Sequence, residues 1–570
     1  MRYCVVVLCL LTGMLAGLAQ GGETLALSNS LVAVKVTQPE KQLVVFAPIL
    51  NMIDGLFPEE TPGAPNAKAT MTSVTALLQG MVESLKGLPG VDARGSLWLA
   101  VMPPPGGDIP PVIEENGAMK PNPDLVPPVY LVLPLTDPQA FRTYYEQGNP
   151  TNLRYTICGK YAVGNMAKAP AFTAVNLDLP LITTRDVALS MQVANFDLSQ
   201  MAVPPMLEPM VQPVLDVMSE QQENVARVEV GLTMIDRSLS MESYAVPVPG
   251  SALARSLAAP KPDTTAFDFA GYLPKNLAYC GASGPALVGA PGTGQFMMRI
   301  AFGILASFLP EDRGQTLVKS FTALMSQCSK GRAFGITAPA NADTGATLVA
   351  VYRVTSEREA RGSVRAFVKE LVLSRDTVMN GMLANIVTFN LKPDAEKIEG
   401  LSVDRIELTM VQAPPPAGND AAKAAGGPPP FALDGRVAYL GDKMLVTLGS
   451  ESSREMATLI KRVRQPDTTG FTSSRSYQAL KGSIAEKSTG FESIVLRDLC
   501  MVAVTWFPPN QRKEAGMFLS MFPPQNPPIT TFQEITDGRL HGGITIPGGQ
   551  LDFLYTLVKA AQTMGVKTPQ

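Results

Sequence analysis

The sequence contains few of the residues on which most enzyme sites are built. Its 570 residues include a single histidine, His541, which excludes a zinc site held by several histidines. Six cysteines occur but none forms a CxxC pair, so the common zinc and dithiol spacings are absent. Neither the GxSxG nor the SxxK motif of serine acylation is present. We therefore expect no catalytic, cofactor-binding or metal-binding residue, and we interpret His541 as a surface or half-buried strand residue.

Aromatic and charged residues are also sparse. Only two tryptophans, Trp98 and Trp506, could serve as sugar platforms, and both lie in apolar runs typical of a core. Carboxylates are plentiful, so a carboxylate-based hydrolase stays open as an alternative. Charged residues make up 17% of the chain, the net charge is -3, and no run of five Lys or Arg occurs. This composition predicts no nucleic-acid partner.

Two further motifs have simpler interpretations. The segment Gly289–Gly294 has the glycine spacing of a phosphate-binding loop, but Gln295 and Phe296 stand where lysine and serine or threonine are required. A turn before an apolar helix explains it better. Methionines along one proline-interrupted segment suggest copper or an apolar ligand, although core packing explains them first. They are Met201, Met206, Met210 and Met218.

The N-terminus has the three parts of a signal peptide. Arg2 supplies the positive charge, Val5–Leu18 is almost wholly apolar, and Gly17 and Ala19 fit a cleavage site after Ala19. An uncleaved anchor is the alternative, but the apolar run is shorter than the roughly 20 residues needed to span a bilayer. We expect an exported protein, periplasmic or extracellular, with no transmembrane segment in the mature chain.

Four cysteines remain after cleavage. Cys158, Cys280, Cys328 and Cys500 all lie in apolar runs, which favours buried thiols. They would allow three full disulfide pairings, among which the sequence does not choose.

Several local patterns occur twice in the same order, which indicates an internal duplication. The run Val129–Leu135 leads into Asp137-Pro138, a helix cap followed by a first-turn proline, and Leu348–Val354 leads into the capping box Ser356–Glu359. Other matched pairs are the strands at 31–39 and 277–285, the helical stripes at 74–85 and 317–328, the hairpins at 155–163 and 437–446, and the turns at 236–253 and 537–551.

The duplication predicts an α+β fold of two tandem repeats, each a mainly antiparallel or mixed sheet with amphipathic helices packed on one face. We place the signal peptide at 1–19, repeat one at 20–260 and repeat two at 261–570. A loop rich in Pro, Ala and Gly at about 412–430 belongs to the second repeat. An elongated β-rich barrel per repeat, as in tubular lipid-binding folds, is the alternative.

Three short runs carry a resemblance. Leu131-Val-Leu-Pro-Leu-Thr-Asp-Pro138, Gly159-Lys-Tyr-Ala-Val163 and Asp537-Gly-Arg-Leu540 resemble segments of uncharacterised exported bacterial proteins with a duplicated α+β domain. The resemblance covers most of the mature chain and implies a periplasmic or surface location. It implies no functional residue.

The sequence therefore leads to three hypotheses of different classes. The first is a non-catalytic exported protein that binds an unknown protein partner or builds a cell-envelope structure. The second is a carrier of a lipid-like apolar ligand in a groove within or between the repeats. The third is the carboxylate-based hydrolase, which requires carboxylates converging in a cleft.

Overall fold

The computed structural model describes most of the chain between residues 24 and 563. The described residues are 24–39, 41–42, 45–46, 83, 87–102, 112–115, 118–121, 128–147, 153–166, 174–177, 179, 181–193, 208–259, 266–287, 300, 303, 306, 309–339, 345–378, 387–410, 431–465, 470–484, 488–505, 507, 509–522 and 527–563. The signal peptide, the motif Gly289–Gly294, the loop at 412–430, Trp506, Met201 and Met206 lie outside them. So does most of the helical stripe at 74–85.

The N-terminal half, which we define as the described residues up to 259, alternates strands with few helices. Its elements are β1 Thr24–Ala26, β2 Val32–Thr37, β3 Ser96–Val101, β4 Val112–Glu115, β5 Ala118–Pro121, β6 Val129–Pro134, α1 Pro138–Glu146, β7 Leu153–Cys158, β8 Tyr161–Met166, β9 Ala174–Asn176, β10 Val187–Met191, α2 Glu208–Asn224, β11 Val225–Ile235, β12 Ser238–Pro247 and α3 Ala252–Ala258.

The C-terminal half, which begins at residue 266, contains more helix. Its elements are α4 Ala266–Ala270, β13 Leu277–Ser283, α5 Glu311–Gln327, β14 Arg332–Thr337, β15 Thr347–Arg353, α6 Glu357–Val378, β16 Val387–Ile398, β17 Leu401–Met410, β18 Phe431–Leu440, β19 Lys443–Gly449, α7 Ser452–Arg464, α8 Arg475–Ser483, β20 Gly490–Ile494, α9 Leu496–Val504, α10 Pro509–Ser520, β21 Ile529–Thr536, β22 Arg539–Ile546 and α11 Gly548–Thr563.

The predicted helix starts are confirmed. The Asp137 carboxylate accepts hydrogen bonds from the N–H groups of Gln139 and Ala140, each at 3.0 Å, and Pro138 is the first residue of α1. The Ser356 hydroxyl accepts the N–H of Glu359 at 3.4 Å just before α6. Both caps satisfy amide groups that the first helical turn leaves without a partner.

An 18-stranded antiparallel sheet contains strands from both halves. Strand pairing gives the order β7-β8-β6-β3-β2-β10-β11-β12-β22-β21-β20-β13-β14-β15-β19-β18-β17-β16. The halves join where β12 pairs with β22, from Leu239 opposite Ile546 to Ala245 opposite Leu540. The fold is therefore α+β with one large sheet that spans both halves, and not the separate sheet or barrel that was expected for each half.

The prediction of helices on one face is wrong, because helices cover both faces of the C-terminal half. In β19, Leu445 packs with Met456 and Leu459 of α7. Its neighbour Met444 packs with Val364 and Val368 of α6. Successive strand residues point to opposite faces, so α7 and α6 lie on opposite sides of the sheet.

The N-terminal half is also covered on both faces, but by different elements. Phe141 of α1 packs against Leu131 and Leu133 on one face. On the other face, Leu25 of β1 lies in a buried cluster with Trp98 of β3. β1 pairs with β9 as a small parallel sheet, so a strand pair covers this face where helices cover the C-terminal half.

Candidate functional site

At the junction between the two halves, strands in the interior of the sheet are only partly covered. We call β11, β12, β22 and β21 the seam. β12 lies in the middle of the sheet, yet all ten of its residues are only half-buried. β22 has a single buried residue, Gly543. An interior strand of a sheet covered on both faces is expected to bury its side chains, as β15 does. The seam is therefore partly open to solvent on both faces.

One face of the seam carries a row of polar and aromatic side chains, and we call it the polar face. Its members lie directly opposite one another on neighbouring strands, so they project on the same side of the sheet. From β10 to β21 they are Ser190, Glu229, Tyr244, His541 and Glu534. Glu242 lies two residues before Tyr244 and projects on the same face.

The two glutamates of the N-terminal half hold a loop over the polar face. The Glu229 carboxylate is fully buried, accepts the N–H of Ile182 at 2.6 Å and pairs with Arg227 at 3.0 Å. Glu242 accepts the Thr183 hydroxyl at 2.5 Å and pairs with Arg185 at 3.0 Å. We call residues 181–186 the strap, since these bonds fix it across the sheet.

The side chains of the strap pack directly against Gly231, where a larger residue would not fit. A Cβ at this position would lie 2.1 Å from the Thr183 hydroxyl oxygen and 2.6 Å from Arg185 Cγ, so any side chain here would displace the two strap side chains that bind Glu242. The close approach explains a glycine in the middle of a long strand, where the residue otherwise weakens the structure.

His541 joins the two halves across the polar face. Its Nδ1 lies 2.8 Å from Glu534 Oε1, and its ring stacks on Tyr244 with centroids 4.4 Å apart. The edge of Phe532 contacts the ring at 5.1 Å. Its Nε2 is buried and has no hydrogen-bond partner in the described part of the chain. The histidine therefore lies in β22 as a half-buried residue held on three sides.

Tyr244 lies among several charged groups. Burial raises the pKa of the Tyr244 phenol, and the nearby Glu242 carboxylate raises it further, while Arg185 lowers it. The phenol therefore stays protonated at neutral pH and contributes a hydroxyl and an aromatic face rather than a charge.

The opposite face of the seam, which we call the apolar face, carries mainly aliphatic and methionine side chains, together with Ser243, Thr531 and Gln533. Leu232, Met241 and Ile544 face one another across β11, β12 and β22. Met234, Leu239 and Ile546 form the next row. All six are half-buried. Helix α3 packs on this face at one end, where its Leu253 and Leu257 contact Val228 and Ala245.

A second charged cluster lies far from the seam. Asp404 of β17 is fully buried and accepts hydrogen bonds from Arg365 at 2.9 Å, from Arg361 at 3.4 Å and from the Asp394 N–H at 2.8 Å. Its carboxylate is thus bonded to two guanidinium groups of α6 and to β16. The arrangement anchors α6 and β16 to β17 and presents no free reactive group.

Of the four cysteines of the expected mature chain, Cys280, Cys328 and Cys500 are free thiols. Cys158, Cys280 and Cys328 are buried and Cys500 is half-buried. Burial raises the pKa of the Cys328 thiol to about 12, so it stays protonated and unreactive. Among the described residues, no group of three or more His, Cys, Asp or Glu side chains is placed to hold a metal ion.

Sequence reasoning weighed His541 but missed Glu229, Glu242, Tyr244 and the strap. A signal was present in β11, where Glu229 interrupts the apolar run Val228-Glu-Val-Gly-Leu232. A carboxylate at an interior strand position needs a partner, and here the partners come from Arg227 and the strap. The pairing of Tyr244 with His541 joins positions that are distant in sequence, which local patterns do not reveal.

Comparison with protein-family models, curated proteins and solved structures finds no match. Within the residues described above, no helix combines the length and the apolar character needed to cross a membrane.

Proposed function

We propose that this chain is an exported, non-catalytic binding protein, built by tandem duplication, whose binding surface is the seam between its two halves. The observation that carries the proposal is β12, a strand in the middle of the sheet without one buried residue. Leaving such a strand open forgoes burial that would stabilise the fold by about 25 cal/mol for each Å² of apolar surface. A bound partner that covers the seam recovers this stabilisation.

The strand order supports the duplication. Read outward from the seam, the N-terminal half gives β12, β11, β10, β2, β3, β6, β8 and β7. The C-terminal half gives β22, β21, β20, β13, β14, β15, β19 and β18, each in the same place along the chain as its counterpart. β17 and β16 follow as an addition to the second repeat.

The same correspondence gives the seam a pseudo-twofold axis. β12 and β22 are counterparts and pair antiparallel with each other, with Glu242 opposite Gly543 near the centre. A binding surface at such an axis is formed by strands from both repeats, here β12 and β22. Ligand sites in multidomain proteins occur preferentially at junctions of this kind.

The geometry of the polar face supports binding rather than catalysis. The Glu229 and Glu242 carboxylates are bonded to the strap and to Arg227 and Arg185. His541 directs Nδ1 to Glu534, and its Nε2 is enclosed by protein. A general base must reach the proton that it removes, and in this arrangement neither ring nitrogen is accessible to a substrate.

Native mass spectrometry of the protein isolated from its own host tests the proposal. We expect the chain in the periplasmic or extracellular fraction, with Gln20 as its first residue, and carrying either a stoichiometric bound species or a defined higher assembly. A bound lipid-like mass supports the carrier form of the hypothesis, and a clean subunit mass in higher oligomers supports the structural form. A full-length cytoplasmic chain that runs as a bare monomer contradicts the proposal.

A further inference from the structure

We propose that Glu242, Tyr244 and His541 on the polar face direct β12 to pair with β22, and oppose pairing of β12 with the β12 strand of a second copy of the chain. β12 and β22 pair about a central position at which Glu242 lies opposite Gly543. This role goes beyond the proposed function, because it concerns which strand joins which at the seam and not what the seam binds.

The backbone of the seam is suited to either pairing. β11–β12 and β21–β22 are both hairpins with two-residue turns, and their second strands pair antiparallel with each other. A second copy of the chain could offer β12 in the place of β22, with the same backbone donors and acceptors along its edge. Strand edges of this kind readily pair with another chain. The choice between the two partners therefore depends on the side chains.

Two rows of the polar face, related by exchange of the two hairpins, differ in their chemistry. They lie two residues to either side of the central pair. One row contains Glu229, Tyr244, His541 and Glu534, and the corresponding positions of the other row are Thr530, Thr545, Ser240 and Thr233. Each row continues to a buried serine, Ser190 or Ser493. The first row thus has ionisable or aromatic groups at four places where the second has only hydroxyl groups.

The observed pairing of β12 with β22 uses these differences. It stacks the His541 ring on Tyr244, with centroids 4.4 Å apart, and it brings His541 Nδ1 within 2.8 Å of Glu534 Oε1. It also places Gly543, which has no side chain, opposite Glu242. An aromatic pair directly opposite on neighbouring strands stabilises a sheet. The row therefore favours this partner.

Pairing of β12 with β12 about the same central position would lose these contacts. Tyr244 would lie opposite Ser240, and two Glu242 carboxylates would lie opposite each other. Like charges directly opposite on neighbouring strands destabilise a sheet. Arg185 offsets part of the Glu242 charge, but it does not replace the aromatic partner of Tyr244. The side chains thus oppose an association of two copies through β12.

Disulfide trapping in the mature chain tests this proposal. Met241→Cys and Ser243→Cys are introduced together as a reporter, because residue 241 would lie opposite residue 243 of a second copy if β12 paired with β12. In the structure they lie opposite Ile544 and Gly542 instead. Chains are refolded from urea and oxidised, and the cross-linked dimer is measured on non-reducing gels. The chain without the reporter supplies the background of the native thiols.

Glu242→Gly with Tyr244→Thr gives β12 the residues that β22 has at the corresponding places. We expect this double substitution to raise the yield of cross-linked dimer about tenfold, equivalent to a shift of about 1.4 kcal/mol between the two pairings. His541→Ser removes the stack but keeps Glu242, so it should raise the yield less. Ser240→Ala with Thr545→Val is the matched control in the hydroxyl row, and it should leave the yield unchanged.

Circular dichroism and urea unfolding establish that each variant is folded, and the double substitution and His541→Ser are both used so that misfolding of one leaves the other decisive. A yield of cross-linked dimer that the folded variants do not raise above that of the reporter chain overturns the proposal. So does an equal rise from the control in the hydroxyl row, which would show that any change in these strands loosens the seam. Either result leaves the proposed function standing.

Discussion

Arg237 occupies a turn position at which the β21–β22 hairpin has glycine. The β11–β12 turn consists of Asp236 and Arg237, with φ of 47° and 64°, and the β21–β22 turn consists of Asp537 and Gly538, with φ of 49° and 68°. Both residues of such a hairpin turn need the left-handed region, which glycine adopts without strain. Arg237 pairs there with Asp552, but the two side chains are 73% and 58% exposed. Exposed ion pairs of this kind contribute about 0–1 kcal/mol.

Arg237→Gly should therefore leave stability unchanged or raise it by up to about 1 kcal/mol, because relief of backbone strain offsets the lost ion pair. Gly538→Ala is the matched control and should destabilise the fold by about 1 kcal/mol, since alanine is strained at positive φ. Urea unfolding measures both. Destabilisation by Arg237→Gly of more than about 1 kcal/mol would show that the ion pair dominates.

Glu492 predicts a dependence of stability on pH. Burial raises the pKa of its carboxyl group, and the smaller opposing effects of the Tyr279 hydroxyl and Arg332 do not reverse this. A carboxyl with a raised pKa in the folded state retains its proton there while the unfolded chain has lost it. Stability from this group is thus present below the ordinary glutamate pKa and is lost as the pH rises toward the folded value.

Glu492→Gln should remove this loss, so the variant gains stability over the wild type as the pH rises above about 4.3. Asp442→Asn is the control of opposite sign. Burial alone raises the pKa of Asp442, but hydrogen bonds from Lys443 and Arg353 outweigh it and lower the pKa. The cost of that substitution should be present at neutral pH and fade as the pH falls. Urea unfolding at a series of pH values gives both curves, and parallel curves for Glu492→Gln and wild type would refute the assignment.

At the scale of single elements, the sheet ends in strands whose outer edges are protected. The Tyr155 N–H of β7 donates to the Tyr145 hydroxyl of α1 at 3.3 Å. In the C-terminal half, β17 pairs along β18. At the other end, β16 contains Pro393 and a shift of register between Lys392 and Glu396. A hydroxyl cap, a proline and a bulge each discourage pairing with another chain.

Tyr145→Phe removes the cap and leaves the Tyr155 amide without this acceptor. We expect a loss of about 0.5–1.5 kcal/mol, the usual net contribution of one hydrogen bond. Hydrogen exchange should accelerate at Tyr155 and not at Val163 of β8, whose strand lies one place further inside the sheet. Unchanged exchange at Tyr155 would mean that the tyrosine hydroxyl does not protect the edge.

Element boundaries were more accessible from the sequence than the arrangement of elements. The cap at Asp137 and the hairpins that turn at Gly159 and Gly441 follow from short-range chemistry, and the structure contains them. The second helical layer was missed although Leu348–Tyr352 is an unbroken apolar run, the pattern of a strand buried on both faces. The order of strands and helices alone favoured helices on one face, whereas this run predicts cover on both.

At the scale of the whole molecule, the pairing that unites the sheet could not be read from local patterns. The contact of β12 with β22 joins strands about 300 residues apart, and loop closure over such a distance leaves no local signature. The seam could not be predicted from either half alone, because it forms where β12 of one half pairs with β22 of the other. The proposed duplication explains why its two central strands are counterparts and why the binding surface lies between them.

The reactivity of a cysteine placed on the apolar face tests the open seam most directly. Met241→Cys is compared with Met444→Cys, a methionine of the same sheet that is 3% exposed, and the wild-type chain supplies the background of its native thiols. Because thiol reactivity follows exposure, we predict that Met241→Cys reacts with a maleimide about tenfold faster than Met444→Cys, or more. A rate for Met241→Cys no higher than that of Met444→Cys would show that the seam is closed and contradict the proposed binding surface.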